Sequence, residues 1–86
     1  MTTHRNRAVY IISVAAELTG VHPRTLRIYE AEGLISPSRT EGKIRLYSDR
    51  DIADVKYIRF LTQEKGVNLA GVKIILELQE QIKKKE

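Results

Sequence analysis

Two residues that interrupt helices, Gly20 and Pro23, stand three positions apart between two short segments of helical periodicity. Glycine ends a helix readily because it adopts left-handed backbone angles, and proline suits the first helical turn, where its missing N–H costs no hydrogen bond. With Val21 pointing back into the core, this spacing predicts two helices joined by a tight turn. The chain is therefore expected to contain a helix-turn-helix unit whose first helix covers residues 14–19.

The second helix of this unit is predicted to have one face for packing and another for binding. Leu26 and Tyr29 lie three residues apart, so they share the side that can pack inward. Arg24 and Arg27 share another side, where guanidinium groups can hold phosphates or bond to guanine in a major groove. An ordinary solvated face is the alternative. Gly33 is placed to take the left-handed conformation that ends this helix.

Residues 36–47 carry the signals of a loop and a hairpin. Pro37 disfavours a helix, Glu41-Gly42 supplies a turn, and the residues after it alternate between polar and apolar. We therefore predict a short β-wing. Its second strand is expected to point Ile44 and Leu46 into the core and to hold the other set outward, namely Lys43, Arg45 and Tyr47.

The remaining segments predict a short edge strand and two further helices. An apolar, β-branched run ends just before Ser13, which suits a helix N-cap. Ser48 and Asp51 have the spacing of a capping box at the start of a helix over 49–65, and Asn68 can cap a fourth helix. The predicted fold class is mainly α with a small β-wing: a winged helix-turn-helix of four helices plus a short hairpin.

Size and charge narrow the classes of partner. The 86 residues suffice for one domain with one small core, and no run of about 20 apolar residues indicates a membrane span. The net charge is +4, of which +3 falls in the first 50 residues, and such an excess favours a polyanionic partner. We expect a cytoplasmic, nucleoid-associated protein.

An enzyme, a metal site and a bound cofactor are not expected. The chain has no cysteine, which excludes disulfides, thiolate metal sites and cysteine nucleophiles. Its carboxylates fall on helix surfaces or caps rather than converging on a pocket. His4 and His22 have no cysteine or carboxylate cluster beside them to complete a coordination sphere.

Ten residues form the predicted DNA-binding set. The hydroxyl of Thr25 can meet a phosphate or cap its own backbone, and Tyr29 is expected to pack first and contact second. His22 is either a plain polar residue or a pH-dependent phosphate ligand. The basic cluster around the hairpin turn suits phosphate contacts that position the domain without reading sequence. The set is Ser13, His22, Arg24, Thr25, Arg27, Tyr29, Arg39, Lys43, Arg45 and Tyr47.

Several motifs occur together in one order: TLR-x-YE-x-x-GL, P-x-R-T, R-x-YS and G-V-N-L. Over nearly the whole chain they resemble the MerR family of winged helix-turn-helix regulators. The opening ISVAAELTG-x-HP and the closing NLAGVK-x-ILELQ resemble its heat-shock repressor (HspR-like) branch. The resemblance implies a repressor of chaperone genes that binds double-stranded DNA with an inverted-repeat operator, as a homodimer on DNA. In the resembling branch an Hsp70-class chaperone acts as co-repressor.

The resemblance also implies roles for particular residues. Arg24, Thr25 and Arg27 would lie on the recognition helix, with Arg39, Lys43, Arg45 and Tyr47 of the wing against flanking phosphates. Ile28 departs from the family, in which many members carry a DNA-holding tyrosine. The predicted organisation is a flexible arm over 1–8, the DNA-binding domain over 9–78, and a short basic tail or truncated dimerisation helix over 79–86.

Two other functions stay open. An excisionase-like architectural protein would use a similar winged fold to bend DNA, and a protein-interaction module would turn its basic face to an acidic partner. The regulator interpretation requires that the arginines converge on one surface and are not held in internal ion pairs.

Overall fold

The computed structural model describes residues 7–85 and places four helices and three short strands there. The three strands form one antiparallel sheet in the order β1-β3-β2. This architecture confirms the predicted class of four helices with a small β-wing. In chain order the elements are β1 (Ala8–Tyr10), α1 (Ile12–Thr19), α2 (Pro23–Ala31), β2 (Ser38–Arg39), β3 (Arg45–Ser48), α3 (Asp49–Arg59), a π-helical turn (Phe60–Glu64) that continues α3, and α4 (Leu69–Lys85).

The described residues include both ends of the predicted domain. Most of the predicted arm, and His4 with it, lies outside the described residues, and Ala8 already pairs with Ser48 in the sheet. At the other end α4 runs without a break past residue 78 to Lys85.

The helix-turn-helix unit forms as the sequence predicts. Gly20 adopts the left-handed conformation (φ 75°) and its N–H donates to the carbonyl of Ala16, which ends α1. Val21 is buried, and α2 begins two residues later at Pro23. At its far end α2 closes on Gly33 (φ 78°), with N–H groups of Gly33 and Leu34 donating to carbonyls of the last turn.

Two of the three predicted caps are present. Ser48 and Asp51 exchange side-chain to backbone hydrogen bonds of 2.9 and 3.0 Å, which is the capping box expected at the start of α3. The side chain of Asn68 accepts from the N–H of Gly71 at 2.8 Å at the start of α4. The predicted cap at Ser13 is wrong. Helix α1 starts earlier, because Ile12 packs against the core from within its first turn.

The facing of the wing departs from the prediction at two residues, Tyr47 and Ile44, whereas Lys43 is exposed as predicted and Leu46 is half-buried. Tyr47 is fully buried and Ile44 is 58% exposed, so the side that was expected to point outward carries the core residue. Strand β3 lies in the middle of the sheet, and the ring of Tyr47 is its largest apolar group, so it is buried in the core, whereas Ile44 precedes the strand and is exposed. In this structure Tyr47 is therefore a core residue, and its hydroxyl does not reach the surface.

The hydroxyl of Tyr47 is buried without a hydrogen-bond partner among the described residues, and burial raises its pKa. Because an unpaired buried hydroxyl is destabilising, we expect Tyr47→Phe to raise the free energy of unfolding by about 1 kcal/mol. Urea denaturation measures this change. Tyr57→Phe is the control, since it removes a hydroxyl that accepts a hydrogen bond from Gln79. Lower stability of Tyr47→Phe than of the native chain would contradict the assignment.

Candidate nucleic-acid interface

Helix α2 buries one face and exposes the other, as its sequence predicts. Leu26 and Tyr29 are 0% and 5% exposed, which places the ring of Tyr29 in the core as its primary role. Arg24, Arg27 and Ile28 are exposed on the outer face. The two guanidinium groups therefore stand on a continuous outward surface of a helix whose first turn follows a tight turn.

His22 caps α2 with its ring. Its Nδ1 accepts a hydrogen bond of 3.0 Å from the N–H of Arg24, and Pro23 occupies the first helical position. One of the free N–H groups of the first turn is thus satisfied by a side chain. The sequence analysis predicted that His22 lies next to the exposed face of α2, but it did not predict that His22 caps the helix.

The tip of the wing is a tight turn over residues 40–43. The N–H of Lys43 donates to the carbonyl of Thr40 at 2.8 Å, and the hydroxyl of Thr40 accepts from the N–H of Ile44 at 3.2 Å. Lys43 has φ 66° and an exposed side chain. The ammonium group therefore projects from the tip of the wing.

A single carboxylate joins the wing to α2. Glu30, in the last turn of α2, accepts 2.9 Å from Arg39 Nη2 through Oε2 and 2.6 Å from Arg45 Nε through Oε1. Arg39 also donates to the carbonyl of Lys43 at 3.3 Å, so it braces the turn. We call Glu30, Arg39 and Arg45 the wing clamp.

The wing clamp changes the interpretation of two predicted contacts. The requirement that the arginines stay out of internal ion pairs is met by Arg24 and Arg27, for which the described residues show no ion pair, and it is not met by Arg39 and Arg45. Each guanidinium has five N–H donors, so the clamp leaves others of them for a phosphate. Their first role is nevertheless to position the wing.

The electrostatics of the clamp stabilise its charged form. The hydrogen bond from Arg45 is the largest of the effects that lower the pKa of Glu30, and burial opposes it only in part. The same hydrogen bond raises the pKa of Arg45. Both partners are therefore charged at neutral pH.

The structure thus brings part of the predicted set together. The exposed residues of α2 and the wing tip join through the clamp, while Thr25 is half-buried and Ser13 is exposed in the first turn of α1. Glu30 was missed from the sequence. Its signal was available, since a lone acid on the arginine side of a short basic helix calls for a cationic partner.

A groove of about 380 Å³ between α3 and α4 is lined by no residue of α2 or the wing. Within residues 7–85 no three histidine, aspartate or glutamate side chains cluster as metal ligands would. The helices of that part of the chain are also too short or too polar to cross a membrane.

Removing the charge of Glu30 should make the free energy of unfolding depend less on pH in the acidic range. Because its pKa is lowered in the folded state, the unfolded chain binds the proton more readily, so the clamp stabilises fully above pH 4.5 and is lost as the pH falls further. We expect Glu30→Gln to lower the free energy of unfolding by about 1 kcal/mol at neutral pH, and we expect this loss to shrink progressively as the pH falls below 4.5. Urea denaturation across this range tests it.

Glu32→Gln is the matched control, since this exposed carboxylate lies two residues further on. An equal loss for Glu30→Gln at both ends of the pH range would contradict the role of the clamp.

Comparison with known proteins places this geometry in a family. The profile described as "MerR HTH family regulatory protein" matches residues 10–79. The chain is 54% identical over 74 residues to the putative heat shock protein HspR of Streptomyces coelicolor, covering 86% of this chain and 49% of that protein. It is 36% identical over 76 residues to the regulator GlnR of Bacillus anthracis, covering 88% and 58%.

A solved structure agrees with these sequence matches. The crystal structure of HiNmlR, a MerR family regulator lacking the sensor domain and bound to promoter DNA, aligns with a TM-score of 0.74 and 31% identity, over 81% of this chain and 53% of that one. The chain spans about half the length of the relatives it matches. With the profile covering most of its residues, the chain belongs to the MerR HTH family.

Proposed function

We propose that this chain is the DNA-binding part of a sequence-specific transcriptional regulator. The observation that carries the proposal is the outward face of α2, with Arg24 and Arg27 exposed, tied by the wing clamp to a wing whose lysine is exposed. A short helix of this kind enters a major groove, and its arginines can bond to guanine in two places at once. HiNmlR is a family member seen on promoter DNA, which supports the same mode of binding.

The proposed contacts fall into two classes. Arg24 and Arg27 read base edges, with Thr25 and His22 at the margin of the helix. Lys43 at the wing tip, together with Ser13 in the first turn of α1, meets phosphates that fix the register. Arg39 and Arg45 hold the wing in place and offer their remaining N–H groups to the backbone.

The regulated genes are proposed from the relatives. The 54% identity to a protein named as a putative heat shock protein supports a role in the heat-shock response. Repression of chaperone genes, and an Hsp70-class chaperone as co-repressor, rest on the resemblance to the heat-shock repressor branch. Binding to duplex DNA would place the protein in the cytoplasm, on the nucleoid.

Two copies are proposed to bind an inverted-repeat operator. Three large apolar side chains of α4, spaced four residues apart, are more than half exposed, namely Ile74, Leu78 and Ile82. Such a stripe on one helix can pair with the same stripe of a second copy. The half-sites would then lie one or two helical turns apart.

Substitution of Arg27 and Lys43 should separate base reading from phosphate binding. Arg27→Ala should cost about 1–3 kcal/mol on the best duplex and relax preference at one base pair. Lys43→Gln should lower the affinity for all duplexes alike. It should also reduce the number of counterions released on binding, read from the salt dependence of the affinity, by about one. Selection from a random duplex pool, followed by affinity measurements at several salt concentrations, provides both readouts.

The same experiment separates the competing functions. Affinity that follows the bendability of the duplex rather than its bases would indicate an architectural protein. If no duplex is enriched, the result would favour the protein-interaction module over both DNA-binding functions. Equal losses for Arg27→Ala on every sequence would contradict its assigned role.

Pairing through α4 is tested by Leu78→Glu. A charge in the middle of the apolar stripe should leave the affinity for a single half-site unchanged. It should reduce the additional affinity for the inverted repeat by at least about tenfold. Sedimentation of the protein with half-site and inverted-repeat duplexes measures both. Glu77→Gln, an exposed neighbour, is the control, and retained pairing of Leu78→Glu would place the contact elsewhere.

A further inference from the structure

The outer face of α2 carries one apolar side chain among its cations. Ile28 is 42% exposed, whereas Leu26 of the same helix is fully buried. We propose that Ile28 determines specificity by contacting the 5-methyl group of a thymine in the major groove. This inference rests on the proposed function, because it requires that α2 reads a duplex.

The helix geometry puts Ile28 inside the reading face. At about 100° per residue, Ile28 lies about 40° to one side of Arg24, and Arg27 lies about 60° to the other side. Glu30 and the wing are beyond Arg27, so Ile28 borders the half of the face away from the wing. Along the helix axis Ile28 is about 6 Å from Arg24, which is within two base-pair steps.

The chemistry of the side chain fits only one group on a base edge. Isoleucine has no polar atom, so it cannot bond to a phosphate or to the donors and acceptors of the groove. The thymine methyl is the apolar feature that a base pair presents there. A β-branched side chain in a helix is also held near one χ1 rotamer, so little side-chain freedom is lost when it meets the methyl group.

A second exposed isoleucine supplies the comparison. Ile44 is 58% exposed on the wing, next to the clamp residue Arg45. The wing is proposed to follow the phosphate backbone, where no thymine methyl is in reach. Ile28 and Ile44 therefore have the same chemistry and similar exposure but different expected partners.

The test removes the 5-methyl group of thymine from the DNA and combines this change with substitutions in the protein. The duplex that binds best in the pool selection is resynthesised with deoxyuridine in place of one thymine at a time. Replacing one particular thymine in each half-site should lower the affinity of the native chain about three- to fivefold, which is the effect of one methyl group. Ile28→Ala should bind the thymine and uracil duplexes equally, while Ile44→Ala should keep the native loss.

The outcomes separate this inference from the function on which it rests. If no duplex is enriched, α2 does not read DNA and both fail. If a duplex is enriched but no thymine is sensitive, or if Ile28→Ala keeps the sensitivity, only the role of Ile28 is overturned. Circular dichroism verifies that both variants fold, which is expected because Ile28 and Ile44 are both exposed and alanine favours the helix at position 28.

Discussion

One carboxylate connects the wing to α2, in addition to the pairing of β3 with β1 and the burial of Tyr47 in the core. Glu30 binds Arg39 of β2 and Arg45 of β3, so three elements meet at a single side chain. Strand β2 has only two residues, and a hairpin of this size is marginal when it stands alone. The ion pairs are partly exposed and therefore weak in water, but their strength rises wherever a partner surface excludes the solvent. The angle between helix and wing is thus best defined in a covered state.

Features that depend on sequence neighbours could be predicted. The capping box of Ser48 and Asp51, the cap at Asn68 and the left-handed glycine after α2 each need only a side chain and the backbone a few residues away. The facing of β3 could not be predicted. Alternation shows which residues share a face, but only packing against distant helices decides which face is inside, and that packing buries Tyr47.

The candidate site divides in the same way. Helical periodicity alone was sufficient to predict that Arg24 and Arg27 are exposed, because the burial of Leu26 sets which side of α2 faces the core. The fate of Arg39 and Arg45 depended on a partner 9 and 15 residues away in the chain, respectively. No local pattern reports such a pairing, since a basic hairpin looks the same whether its charges are solvated or bound.

The order of two residues at the wing tip has a cost. Lys43 holds the left-handed angle that glycine adopts freely, although Gly42 stands directly before it. A side chain in that conformation costs about 1 kcal/mol. Exchanging the two residues would relieve the strain and move the ammonium group to the preceding position of the turn. The tip is therefore arranged to aim a charge in one direction at the expense of the most relaxed backbone.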